Sequence, residues 1–273
     1  MQLLTPKEMT ETYIQGGPAK CSRSALELLL LSIMAGIFIG FSGATTNTAA
    51  FGFENANVVR MVCGLLFPFG LAMVLLMGAE LFTGNTLLLM PLLSKKITVP
   101  QMLRNWGIVF FGNFLGALLV GGGCAFFGQL NQQNGALAVF TIRLAVNKCT
   151  MPVENAVVLG FLCNFLVTVG VLAGLSAKDV PGRIMGAYLP VMYFVTCAFE
   201  HSIANMYYIS AGLFAAQNET YRAAAQTAGL ALENLTWGNF LLGNLLPVTI
   251  GNILGGFAVG FILWMAYGRH AKQ

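Results

Sequence analysis

Two short polar stretches carry the side chains able to do chemistry in this chain. Residues 78–86 read Gly-Ala-Glu-Leu-Phe-Thr-Gly-Asn-Thr, and residues 198–206 read Ala-Phe-Glu-His-Ser-Ile-Ala-Asn-Met. Each sets a carboxylate, Glu80 or Glu200, inside a long apolar run. A charged side chain at membrane depth costs roughly 3 kcal/mol or more unless it is paired or faces a wet cavity, so it marks a functional position. His201 is one of only two histidines, the other being His270 on the tail. An imidazole titrates near neutrality and can exchange a proton with a substrate, although a satisfied core histidine is the competing reading. Thr83 lies at the matching place in the first stretch, where its hydroxyl can bond His201 or a substrate. His201 itself stands where the first stretch has Leu81, and that asymmetry marks the histidine rather than the Glu pair as the chemical group.

Glu80 and Glu200 occupy equivalent positions. Either they relay protons or each satisfies backbone N–H groups freed where its own helix breaks. Their symmetric placement favours the second reading. Lys148 lies in the linker 129–153 with Arg143. A solvated surface lysine is one reading, but residues 141–151 are mostly apolar. The stretch is expected to fold back into an outer vestibule, where a cation concentrates small anions. Phe67, Phe82 and Phe194 flank the polar stretches, and apolar rings beside a polar centre exclude bare ions. The six cysteines show neither a CxxC pair nor a metal-ligand spacing. Four or five of them fall in or beside apolar runs and read as small buried hydrophobes, and neither a metal nor another cofactor is expected.

The elements that position these residues follow from composition. The chain is 57% hydrophobic and 9% charged over 273 residues, with mean hydropathy +0.75. A soluble domain is about 25% charged. Strand-like alternation is lacking, so the spans are helical, and the small net charge of +4 gives no case for nucleic acid. The polar, mixed residues 1–24 do not read as a cleavable signal peptide. Apolar runs at about 25–50, 58–94, 103–128, 154–176, 184–217 and 237–267 give six spans of the length a bilayer needs. The second and fifth are too long for one plain helix, and each holds a polar stretch. Both are therefore expected to be broken. With the amino terminus inside, ten Lys and Arg fall on inner segments and four on outer ones, which places both termini in the cytoplasm.

A duplication divides the chain. Residues 112–121, Gly-Asn-Phe-Leu-Gly-Ala-Leu-Leu-Val-Gly, align with residues 251–260, Gly-Asn-Ile-Leu-Gly-Gly-Phe-Ala-Val-Gly, at six of ten positions. Three spans per half is an odd number, so the halves are inverted in the membrane. The glycines of these motifs let helix backbones approach closely, a packing role. The expected domains are a cytoplasmic amphipathic lead-in at 1–24, one six-span domain at 25–268 with repeats of about 25–128 and 154–267, and a cytoplasmic tail at 269–273. Two rival functions stay open. A membrane enzyme using His201 with a Glu has too few metal ligands and no HExxH or GxSxG motif. A water or polyol channel would need an Asn-Pro-Ala pair that the chain lacks.

Four motifs then carry a resemblance: Glu-Leu-Phe-Thr-Gly-Asn at 80–85, Gly-Phe-Leu-Cys-Asn-Phe-Leu-Val at 160–167, Phe-Glu-His-Ser-Ile-Ala-Asn-Met at 199–206, and Gly-Asn-Ile-Leu-Gly-Gly at 251–256. In this order they resemble the formate/nitrite transporter family over about residues 8–268. The resemblance implies an all-α, aquaporin-like protomer of six transmembrane helices in two inverted three-helix repeats, with broken second and fifth helices. It also implies a homopentamer in the inner membrane, each protomer with its own pore. By the same route Phe67, Leu81 and Phe82 line the cytoplasmic constriction and Phe194 the periplasmic one. His201 is the central pore histidine, Thr83 and Asn164 are its polar neighbours, Asn205 matches the family Asn after the His, and Lys148 is the vestibule lysine. The implied cargo is a small monovalent anion, formate foremost, with nitrite or hydrosulfide as alternatives, and protons as possible co-travellers. Residues 42–57, rich in Thr, Asn and Gly, depart from the family's pattern.

Overall fold

The computed structural model describes residues 3–269; His270, Lys272 and most of the expected tail lie outside them. All regular structure among the described residues is helical. Helix α1 spans Pro6–Ser22 and opens with a capping box, in which the Thr5 side chain accepts from the Glu8 N–H and Glu8 reaches back to Thr5. Ser24 caps α2, Ala25–Ala50. Asn55 caps α3, Ala56–Leu66, and Pro68 starts α4, Phe69–Leu76. The chain is then non-helical until α5, Phe82–Asn85, which continues through a tight turn at Thr86–Leu88 into α6, Leu89–Leu93. Helix α7, Val99–Phe126, begins with a second capping box, Thr98 with Gln101.

Helix α8, Gln132–Cys149, contains Gln133, Asn134 and Gly135 at positive φ, so its regular part begins beyond them. Helix α9 is Val153–Ser176, and α10, Val180–Thr196, is capped by Asp179. After a second non-helical gap come α11, Ser202–Ala215, and the short α12, Glu219–Thr227. A π-helical stretch, Asn239–Leu245, leads into α13, Leu246–Leu263.

Among the described residues, five helical segments are long and apolar enough to cross a bilayer: Ala25–Ala50, Ala56–Leu76, Val99–Phe126, Val153–Ser176 and Asn239–Gly268. The fifth apolar run is divided into α10 and α11, of 17 and 14 residues. Each is shorter than the ~20 residues a span requires. The two gaps are matched in backbone shape. Gly78 has φ +64° and Ala198 has φ +55°, the left-handed conformation that lets each chain turn out of its helix.

Close helix pairing places the gaps. A Cβ on Gly112 of α7 would meet the Ser32 side chain of α2 at 2.5 Å, and one on Gly251 of α13 would strike the Val157 carbonyl of α9. Only glycine permits these approaches, so α7 lies against α2 and α13 against α9. Each pair then receives one gap: the Glu80 N–H donates to the Leu31 carbonyl (3.2 Å), and the Glu200 N–H to the Leu159 carbonyl (3.3 Å). Of residues 42–57, the polar residues up to Thr48 are taken up in the end of α2, and Asn55 caps α3. Thr46 bonds the Tyr208 hydroxyl (2.9 Å), Asn47 donates to Thr141 (3.3 Å), and Thr48 accepts from Gln129 (2.8 Å).

Candidate functional site: two polar cages joined by Thr83 and His201

Each gap leaves backbone groups without helical partners, and one asparagine from the neighbouring helix takes them. In the first half Asn113 of α7 donates to the carbonyls of Glu80 (2.9 Å) and Ser32 (2.8 Å) and accepts the Phe82 N–H (2.9 Å). In the second, Asn252 of α13 donates to the carbonyls of Glu200 (2.9 Å) and Gly160 (2.8 Å) and accepts the Ser202 N–H (2.9 Å). These are the asparagines of the duplicated Gly-Asn motif. That motif's role is therefore not packing alone.

The expectation that Glu80 and Glu200 satisfy the freed N–H groups is corrected by this. An ionised carboxylate can only accept, whereas an amide donates and accepts, so one Asn serves the carbonyl and the N–H of a gap together. The carboxylates instead face cations. Glu80 receives Lys20 Nζ (2.8 Å), Arg23 Nη1 (3.0 Å) and Asn85 Nδ2 (2.7 Å). Glu200 receives Lys148 Nζ on both oxygens (2.8 and 2.9 Å) and Asn205 Nδ2 (2.6 Å). The Glu80 and Glu200 side chains are 1% and 5% exposed, so unpaired charge there would be costly.

The asparagines of the two cages match bond for bond. Asn85 also donates to Asn105 Oδ1 (2.9 Å), whose Nδ2 donates to the Lys20 carbonyl (3.2 Å). Asn205 donates to Asn244 Oδ1 (2.7 Å), whose Nδ2 donates to the Lys148 carbonyl (2.9 Å). Helix α1 thus holds the place in the first half that α8 holds in the second, with Lys20 answering to Lys148. Sequence reading found Lys148 and missed Lys20, Asn85, Asn105, Asn113, Asn244 and Asn252 as site residues. The signal available was the repeated Gly-Asn dipeptide and the apolar setting of the asparagines.

Between the cages His201 meets Thr83 across the two halves. His201 ends the second gap as the cap of α11, its Nδ1 accepting the Ala204 N–H at 3.1 Å. A backbone amide always donates, so Nδ1 carries no proton and the neutral ring holds its hydrogen on Nε2. Nε2 then donates to Thr83 Oγ1 at 2.9 Å, leaving the Thr83 hydroxyl hydrogen to point elsewhere. Asn164 of α9 secures the Thr83 side. Its Nδ2 lies 3.2 Å from the Thr83 carbonyl, 3.0 Å from Thr86 Oγ1 and 2.6 Å from the Asn252 carbonyl.

Two cavities approach this centre from opposite elements. One, about 350 Å³, is lined by Tyr13, Lys20, Arg23, Glu80 and Leu81. The other, about 720 Å³, is lined by Phe67, Lys148, Phe194, Glu200, His201 and Tyr208. Lys148 also sits 5.7 Å from the centre of the Tyr208 ring, a cation–π contact.

The phenylalanines divide differently from the expected grouping. Phe67 joins Phe194, with ring centroids 6.0 Å apart, in the cavity that holds Lys148. It is not with Leu81, which lines the other cavity, nor with Phe82, which packs on Phe110 and Trp106 at 5.0 and 5.7 Å. Residue 67 lies ten positions before the gap, and at 1.5 Å per helical residue that is about 15 Å along the axis. This carries it into the cavity lined by Lys148, beside Phe194, whose ring lies 5.9 Å from that of His201. Among the described residues, no cluster of His, Cys, Asp and Glu could hold a metal ion, and all six cysteines are free.

Long apolar helices with a caged polar gap in each half define the class: a helical, multi-pass membrane protein. A family model described as Formate/nitrite transporter matches residues 7–265. The chain belongs to the formate/nitrite transporter family. It is 35% identical over 280 residues to the uncharacterized transporter YrhG of Bacillus subtilis, covering 100% of this chain and 97% of that one. It is 34% identical over 275 residues to the formate channel FocA of Escherichia coli strain K12, with 98% and 95% covered. Among solved structures, a pentameric formate channel with formate bound superposes with a TM-score of 0.79 at 32% identity, covering 89% of this chain and 97% of that one. These relatives are transport proteins, and this chain is one rather than an enzyme.

Proposed function

We propose that the chain is a channel for a small monovalent anion, formate foremost, with nitrite and hydrosulfide as further candidates. The observation that carries the reading is the buried Thr83–His201 bond, with one cationic cavity lined by His201 and another lined by Leu81 and Gly84, which flank Thr83 in the chain. The relative named a formate channel and the neighbour with formate bound support the same cargo. In this reading six spans form two inverted, aquaporin-like halves whose second and fifth members are broken at residues 77–81 and 197–201. The halves extend from α1 to α7 and from α8 to α13, because Lys20 and Lys148 hold equal places. The protomer assembles as a homopentamer in the inner membrane with both termini in the cytoplasm, an orientation supported by the bias of Lys and Arg. Lys148, Phe67 and Phe194 then belong to the periplasmic vestibule, and Lys20, Arg23 and Leu81 to the cytoplasmic one.

The residues act in sequence along the path. Lys148, paired with Glu200 and held at its carbonyl by Asn244, draws the anion to the mouth. Phe67 and Phe194 then make the charged form expensive, because it loses water without gaining partners. A weak-acid anion meets this by taking a proton from vestibule water, crossing as the neutral acid and releasing the proton beyond. Thr83 offers its hydroxyl hydrogen to the passing oxygen, and His201 Nε2–H compensates the hydroxyl. Asn164 and Asn205 hold the two gaps in register. With Nδ1 engaged by Ala204, the ring serves as an oriented donor rather than as the proton store.

Flux in liposomes tests this. Wild-type protein should carry formate, nitrite or hydrosulfide and exclude sulfate and glycerol. His201→Phe, which lacks both nitrogens, should cut formate flux at least tenfold. His201→Asn keeps a capping oxygen and an N–H donor, and should retain much of the flux with the wild-type pH profile. Unchanged flux in His201→Phe would remove the site from the mechanism. A pH dependence present in wild type and absent in His201→Asn would make the ring the proton donor after all.

A further inference from the structure

The two cages differ in cation count, and one position accounts for it. Glu80 is met on one oxygen by Lys20 (2.8 Å) and on the other by Arg23 (3.0 Å), whereas Lys148 alone takes both oxygens of Glu200. Arg23 follows Lys20 by three residues. The same step from Lys148 reaches Met151, which lines the larger cavity. Arg23 is held in place: the Arg104 guanidinium donates twice to its carbonyl, at 3.2 Å each, and Glu27 approaches its Nε to 3.7 Å.

The charge that results is unequal. Lys20, Arg23 and Arg183 against Glu80 leave the smaller cavity with a net charge of two positive. Arg60, Arg143 and Lys148 against Glu54 and Glu200 leave the larger one with a net of one, spread over about twice the volume. A guanidinium has five N–H donors in a fork suited to carboxylate-like anions, and Glu80 engages one of its nitrogens.

We propose that Arg23 makes the α1 vestibule the tighter anion-holding end of the path, so that a small monovalent oxyanion is bound more strongly there than at the α8 end. This rests on the channel reading above. Lys20 alone would give the α1 end the neutral Lys–Glu pair found at the α8 end. Arg23 adds a cation that Glu80 does not cancel and that Glu27, 3.7 Å from its Nε and 55% exposed, offsets only in part, within the smaller, less diluted space.

The test uses the full chain in sealed membrane vesicles of both orientations. Sidedness is read by protease protection of an affinity tag added at the amino terminus. Formate half-saturation is measured from each side. In wild type it should be about fivefold lower from the α1 side. Arg23→Met should raise it several-fold on that side alone, more than it alters maximal flux, and Arg23→Lys should restore most of the difference. Met151→Arg should lower it on the α8 side, a gain that a folding defect cannot imitate. Raised ionic strength should narrow all of these differences, since screening acts over about 8 Å at physiological salt. Equal wild-type half-saturation from both sides would overturn the proposal, as would an Arg23→Met shift shared by both sides. No formate flux from either side would overturn the channel reading and the proposal with it.

Discussion

The two gaps are built to one plan and finished differently. Both use a Lys, a Glu and two asparagines in a ring, and both are pinned by the Asn of a Gly-Asn pair. Within each element the spacing is repeated, Glu80 to Asn85 as Glu200 to Asn205 and Asn105 to Asn113 as Asn244 to Asn252, while the stretches that join those elements differ in length. At the caps the plan diverges: Leu81 begins α5 with no side-chain bond, while His201 begins α11 through Nδ1. Around the carboxylates it diverges again, as Arg23 against Met151. Shared parts hold the chain open at two points, a requirement of any broken helix in lipid. The parts that differ are where the two ends can do different things.

The most damaging way to break the comparison is to remove a shared part. Asn113→Leu or Asn252→Leu leaves one N–H and one gap carbonyl unpaired in a buried setting, while the Ser32 and Gly160 carbonyls keep their helical bonds. At about 1–3 kcal/mol for each orphaned group, either change removes a large part of the stability of a typical domain, about 5–15 kcal/mol. Both variants should yield little folded protein in detergent, as read by thermal unfolding or monodisperse recovery. Normal unfolding temperatures for both would mean that the cages do not hold the gaps.

The unequal cation count sharpens the comparison at a lower energy. Lys148→Met strands Glu200 with only Asn205, and breaking a buried pair from one side costs about 3–5 kcal/mol. Lys20→Met leaves Glu80 with Arg23 and Asn85, so its loss should be clearly smaller. Adding Glu200→Gln to Lys148→Met should recover part of the stability, because it removes the stranded charge. Equal losses from the two lysine changes would show that Arg23 does not neutralise Glu80.

Much of this plan was legible as pattern and little of it as pairing. Length and hydropathy located the apolar runs, and the polar stretches at 78–86 and 198–206 overlap the non-helical segments, which run from 77 to 81 and from 197 to 201. The polar residues His201, Thr83 and Asn164 do come together. Partnerships across the fold were not readable, because nothing in a linear sequence says that residue 20 meets residue 80, or residue 113 the carbonyl of residue 80. Lys20 looked like one of several inner cations, and it took the correspondence of α1 with α8 to single it out. Phe67 was misgrouped because nearness to a motif was read as nearness in space, although helix rise alone separates it from the gap.

The subtlest contrast lies in the backbone at the start of each gap, and it gives the smallest expected effect. Gly78 and Ala198 share the left-handed conformation, at φ +64° and +55°. An L side chain there costs roughly 1–2 kcal/mol, so Ala198 bears a strain that Gly78 avoids. A Cβ added at Gly78 would meet no heavy atom within 4 Å, so Gly78→Ala isolates this backbone cost from packing. Glycine's greater freedom in the unfolded chain offsets about 0.5–1 kcal/mol of the difference. Gly78→Ala should therefore destabilise by about 0.5–1 kcal/mol, and Ala198→Gly should stabilise by a similar amount. The double variant should return close to wild type, since the two gaps share no backbone contact at these residues. Thermal unfolding of the four proteins in one detergent checks all three values. If Ala198→Gly proves destabilising, the Ala198 methyl makes contacts worth more than the strain it imposes, and the second gap is held by packing where the first is held by backbone shape.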